Sequence, residues 1–161
     1  MKYRPFPKLT KEFVAERINA GWADLAWAAS NNWLDSRSLG DLADRIADTS
    51  GDVRADVALA VMEGDDTRLH ALIDQQARHC PIGSEEIRGR WLLIAIAWLY
   101  QHRGAFSDPW AVIEDIWEAF DHAPALNGLI RWMPVPAGGK PGEAGMMERW
   151  RELAVPPLKV V

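Results

Sequence analysis

RGRWLLIAIAWLYQHRG, residues 88–104, decides the fold, because Trp91–Tyr100 is ten consecutive apolar or aromatic residues between basic ends. A bilayer-spanning helix needs about 20 apolar residues, so this run is too short to cross a membrane. It is also too long for a typical strand, and it is apolar on all sides. That pattern predicts a helix surrounded by other helices, packed as a core rather than lining a cofactor pocket. Arg90 is expected to stay outside at one end. His102 and Arg103 sit at the other, where positive charge suits the helix dipole, with Gly104 as the cap.

Working outward, apolar residues recur at helical spacing in one segment after another: Leu39, Leu42, Ala43 and Ile46; Val53, Val57 and Val61; Leu69, Leu72 and Ile73. Ser36 and Ser84 are expected N-caps. The stretches 50–52, 63–66 and 80–83 read as breaks, and Asp108-Pro109 supplies a cap followed by proline at the first helical position. Helices are predicted near 10–19, 22–31, 37–48, 53–63, 66–79, 85–103, 109–121, 124–132 and 143–153, and no alternating stretch competes for a strand. The expectation is an all-α chain: one domain over 1–161, built as an antiparallel helical bundle or a short curved stack of helical hairpins. MPVPAGGKPGEAG, 133–145, reads as a flexible Gly/Pro-rich loop, and the tail 155–161 as irregular past Pro156.

With 161 residues, the chain can bury about 70% of its unfolded surface in one core. Its net charge of −5 argues against nucleic acid, which calls for concentrated positive charge. A protein partner, basic where charges are complementary, fits better. The N-terminal MKYRPFPKLTKEF holds no apolar run of signal-peptide length. Cys80 is the single cysteine, so no intrachain disulfide forms and a cytoplasmic location is expected, with no membrane association.

The helix predicted at 109–121 puts Val112, Ile113, Ile116, Trp117 and Phe120 on one stripe and Glu114, Asp115, Glu118 and Asp121 on the other side. Glu114, Glu118, Asp121 and His122 could hold a divalent cation or do acid–base work, which would make the protein a metal-dependent or small-molecule enzyme. A solvated helix face accounts for the same spacing. No metal-protease, di-iron, nucleophile-elbow or phosphate-loop pattern occurs, and His79-Cys80 gives only two of the four ligands of structural zinc. No metal or other cofactor is therefore expected.

The chain has nine tryptophans. Trp22, Trp91, Trp98 and Trp117 lie on apolar stripes and are assigned to the core. Trp27, Trp33, Trp110, Trp132 and Trp150 fall near helix ends or on opposite faces, where core packing and partner binding are both open to an amphipathic ring. Candidate binding residues are Trp110, Asp121, His122, Arg131 and Trp132; no catalytic residue is assigned.

RWLLIAIAWLYQHRG, DPWAVIEDIWEAFDHAPALNGLIRWMP and MMERWRELA resemble the second half of the bacterial family Domain of Unknown Function 2247, and LAWAASNNWLDSRSLGDLA (25–43) is similar to its opening helices. The resemblance covers most of 20–153. Asp108-Pro109, Phe120-Asp121 and Arg131-Trp132-Met133-Pro134 are its most specific points. The chain departs from the pattern at His122-Ala123-Pro124, where a Tyr-Pro follows Phe-Asp, and in the Gly-rich loop after Met-Pro. The resemblance carries no catalytic residues across. Small acidic helical proteins of this kind resemble the immunity partners of bacterial toxins, an analogy of type. The expected function is thus non-enzymatic protein binding, as an immunity-type or regulatory partner, with the acidic-helix enzyme as the alternative.

Overall fold

The computed structural model describes residues 5–51 and 53–155, so the expectation for the tail past Val155 lies outside the described residues. Among these residues the chain is all-α: α1 Lys11–Ala15, α2 Trp22–Asn31, α3 Ser36–Ser50, α4 Arg54–Glu63, α5 Asp66–Ala77, α6 Ser84–Gln101, α7 Pro109–Ala119 and α8 Gly142–Ala154. Two 3-10 segments, Arg103–Ala105 and Pro124–Leu129, complete it. The only β geometry among them is one parallel bridge between Leu9 and Leu34. The chain divides into two compact units, one over Pro7–Gly89 and one beginning at Arg90 and including Phe6.

In the first unit, local polar groups set the helix ends. Asp35 caps α3 by accepting from the Ser38 amide at 2.7 Å. The expected cap, Ser36, is instead the first helical residue, and its hydroxyl donates to Asp66 at 2.9 Å. A carboxylate at the cap makes the stronger, charge-assisted bond, and it leaves buried Leu34 and Leu39 in the staple positions around the cap. Asp65 caps α5 in the same way, through the Arg68 amide at 3.0 Å. α1 is shorter than the predicted 10–19. Gly21 and Asp24 open α2 with their own amide–carboxylate bond at 3.0 Å, and the chain bends through Ile18–Ala20 to reach it. α2 packs on α5 and α3, α3 on α4 and α1, and α4 on α5, around Leu25, Leu39, Leu42, Val57, Leu69 and Ile73. On α4 the buried residues are Val57 and Ala60, while Val61, expected on the inner stripe, is exposed.

The second unit is built on α6. Every residue of Trp91–Leu99 except Leu93 and Trp98 is buried. Arg90, expected outside, is buried too; it lies three residues after Ile87 and four before Ile94, on the face those two bury. The helix ends at Gln101, and Gly104 lies in the following 3-10 segment rather than capping it. His102 and Arg103 still satisfy terminal carbonyls: His102 Nδ1 bonds the Trp98 carbonyl at 2.8 Å and Arg103 Nη1 that of Tyr100. The helix predicted at 124–132 is a 3-10 segment ending at Leu129. Pro124 and Gly128 are poor in an α-helix, and buried Leu126 and Leu129, three apart, share a face when the turn takes three residues.

One buried cation in the first unit is only partly satisfied. Arg17 is only 2% exposed; its Nη1 donates to the Phe13 carbonyl at 2.9 Å and meets Glu16 at 3.3 Å, with the guanidinium over the Phe13 ring. Nε and Nη2 find no hydrogen-bond partner among the described residues, and burial pushes the guanidinium pKa below its ordinary value. A half-satisfied buried cation is replaceable by an apolar side chain of similar length. Arg17→Met is expected to leave the thermal midpoint unchanged or raise it; a clear fall in calorimetry would mean that the cation stabilises the fold.

Candidate functional site

The site forms where α7, the 3-10 segment Pro124–Leu129 and α8 pack together in the second unit. Asp108 starts α7: its Oδ1 accepts from the Ala111 amide at 3.2 Å, and Pro109 occupies the first helical position, as the sequence predicts. The other oxygen, Oδ2, receives Arg131 Nη1 at 2.9 Å. Arg131 also grips Glu114 two-pronged, Nε to Oε1 at 2.9 Å and Nη2 to Oε2 at 3.1 Å. One guanidinium thereby ties the turn after the 3-10 segment to both the cap and the flank of α7. These bonds raise the Arg131 pKa above its ordinary value, Glu114 contributing most. The Ala111 amide, and after it Arg131, hold the Asp108 carboxyl below the usual range.

The turn itself closes through the Met133 amide on the Ile130 carbonyl at 3.1 Å, and it pushes Trp132 outward to 66% exposure. Trp132 does not hang free. Its ring rests edge-on against Trp117 at 5.2 Å, and the Trp117 indole donates to Asn127 Oδ1 at 3.2 Å. The His122 ring lies on the same Trp117 at 4.2 Å. His122 reaches that position because α7 ends in a Schellman motif: the His122 amide bonds the Trp117 carbonyl at 2.8 Å and the Asp121 amide that of Glu118 at 3.1 Å. Asp121 and His122 both have positive φ, 52° and 60°, a conformation that glycine usually supplies.

Beside the turn opens a cavity of about 360 Å³, walled by Trp110, Ile130, Met133 and Met146 with Arg131, Glu143 and Arg149 at polar points. Trp110 is buried and donates through Nε1 to Glu143 at 3.4 Å. Arg149 donates to two backbone carbonyls, Gly128 at 2.8 Å and Lys140 at 2.9 Å, and so ties Lys140, in the Gly/Pro-rich segment 133–145, to α8, whose first residues that segment supplies. That close approach requires Gly145 inside α8, since a Cβ there would run into the Lys140 carbonyl. Apolar walls, thioethers and a few oriented charges suit recognition of a side chain or small group.

Of the residues singled out from sequence, Arg131 and Trp110 line the cavity and Trp132 stands beside it. Asp121 and His122 lie at the far end of α7, with His122 linked to Trp132 through the Trp117 ring. The carboxylates of the alternative cation site are divided: Glu114 is held by Arg131, while Glu118 and Asp121 are exposed. Among the described residues, no group of three or more His, Cys, Asp or Glu is placed to hold a metal ion. Trp33 and Trp150 are fully buried; among the described tryptophans, Trp132 alone is exposed. Sequence reading missed Asn127, Glu143 and Arg149. Each meets its partner across 10 to 33 residues, which no local pattern reports.

A family model described as "Uncharacterized protein conserved in bacteria (DUF2247)" matches residues 10–153, and the chain belongs to that family. No curated protein and no solved structure matches it.

The Arg131 clamp has a pH signature. Because the Asp108 pKa is depressed on folding, its contribution to stability is present above its unfolded value, near 3.9, and is lost as pH falls through the lower folded value. Arg131→Met is expected to lower the thermal midpoint at pH 7, with a deficit that shrinks below about pH 4. Arg131→Lys should not restore it, since ammonium cannot span both oxygens of Glu114 and still reach Asp108. A deficit independent of pH would show that the ion pairs contribute nothing to stability.

Proposed function

We propose that this member of the DUF2247 family is a cytoplasmic, non-enzymatic protein-binding module, of the immunity-type or regulatory kind, that docks its partner through the Ile130–Met133 corner. The observation that carries the reading is Trp132: a large indole exposed to solvent yet seated against Trp117, whose own ring is fixed by Asn127 and flanked by His122. Tryptophan and arginine dominate interface hot spots, and an anchor already held in its bound orientation loses little entropy on docking. Half-exposed Arg131, locked onto Asp108 and Glu114, gives the same corner a rigid polar edge. Exposed Val135 and the adjoining cavity offer apolar contact and a recess for a partner side chain. The net charge of −5 favours encounter with a basic partner.

A photo-crosslinking amino acid at position 132, in the bacterium that makes the protein, tests this. It is expected to trap a discrete partner that the same group at exposed position 37 does not trap. With that partner purified, Trp132→Ala should weaken binding by about 30-fold, the scale of a hot-spot loss, without moving the thermal midpoint. Equal trapping at both positions, or none at 132, would contradict docking at this corner.

A further inference from the structure

We propose that the outward face of α4 is a second docking surface, independent of the Trp132 corner, and that its occupant is a basic amphipathic helical segment of a partner protein. α4, RADVALAVME, is apolar at seven of its ten positions, and a helix apolar on all sides is normally buried. Here only Val57 and Ala60 are. Val61 turns toward α3, near enough to Gly40 to crowd any Cβ placed there. Ala55, Ala58, Leu59 and Met62 form one outward stripe at spacings of three, one and three, with Met62 80% and Leu59 38% exposed. The neighbouring α5 behaves in the ordinary way, exposing Asp66, Thr67, His70, Asp74 and Gln75. The α4 stripe is about two helical turns long, enough to receive two turns of another helix.

Charge selects the occupant. Residues 35–74 hold ten acidic and four basic side chains, against thirteen and fourteen in the rest of the chain, so the net negative charge of the protein is concentrated around α4. Two of the four cations pair with carboxylates of the same stretch: Arg54 with Asp48 at 2.8 Å and Arg68 with Asp56 at 3.4 Å. Glu63, Asp65 and Asp66 at the end of the stripe add to the acidic excess. A segment with apolar residues every three or four positions and Lys or Arg on its flanks complements both features. A second copy of this chain does not. Pairing two copies through this face would bring the same acidic stretch of both together and join two chains of net −5.

The test uses the full chain and two synthetic peptides of about 18 residues made of leucine and lysine, one with its leucines in a single helical stripe and one with the same composition scattered. Titrations by fluorescence anisotropy at about 0.15 M salt are expected to show saturable binding of the striped peptide, at least about tenfold tighter than the scattered one. Leu59→Glu with Met62→Glu should abolish that difference, and Trp132→Ala should leave it intact. Met62→Glu alone, at the most exposed position, gives the same readout if the double variant loses its circular dichroism signal. Equal binding of both peptides, or striped binding indifferent to Met62→Glu, overturns the proposal. So does a concentration-dependent dimer, seen by sedimentation and removed by Met62→Glu, because the occupant is then a second copy. A positive result at α4 with no crosslink at 132 would leave this surface standing and the Trp132 reading refuted.

Discussion

The second unit depends on one buried hydrogen bond: the Trp150 indole nitrogen donates to the Ile96 carbonyl at 3.1 Å, with both residues inaccessible to solvent. A buried indole N–H without a partner is costly, and this one is satisfied only when α8 lies at one position along α6. The ring then completes the packing, with Trp110 of α7 at 5.1 Å and the edge of Tyr100 at 5.4 Å. Three helices are thus registered through a single side chain. Its neighbour Arg149 reaches Gly128 and Lys140 from that fixed position, and Trp110 meets Glu143 beside it, so the cavity walls follow from where Trp150 sits.

The exposed corner is rigid for related reasons. Arg131 is held by two bonds to Glu114 of α7 and one to its cap, Asp108, and Trp132 leans on a Trp117 that is itself bonded to Asn127. Two consecutive non-glycine residues at positive φ, Asp121 and His122, turn the chain so that the His122 ring covers another part of Trp117. Such backbone conformations persist where the surroundings over-determine them. An interaction surface gains from that rigidity, because ordering a loop on binding subtracts from affinity.

The sequence makes the skeleton legible where a local rule is strong. The all-round apolar run identifies α6, and Asp108-Pro109 identifies the start of α7. It fails where two local rules compete, as at Asp35 and Ser36, both good caps, or in Pro124–Leu129, where leucine spacing suits either kind of helix. The tryptophans show the limit most clearly. Trp33, Trp110, Trp132 and Trp150 all sit near helix ends, yet three are buried and one is exposed, and only the positions of distant segments decide which. The site was half visible for the same reason: Arg131, Trp132 and Trp110 stand in dense aromatic motifs, whereas Glu143 and Arg149 look like ordinary charges on an amphipathic helix. Arg90 is the converse case, a charge at the end of an apolar run that lies on the buried face.

Hydrogen exchange on the wild type and on Trp150→Phe tests most directly whether the Trp150 bond holds the site together. Phenylalanine keeps most of the ring volume and removes the donor. If the bond registers all three helices, exchange speeds up over 94–99, 109–119 and the Met133 amide as well as within 142–154. Acceleration confined to 142–154, with the Ile130–Met133 turn unchanged, would contradict it.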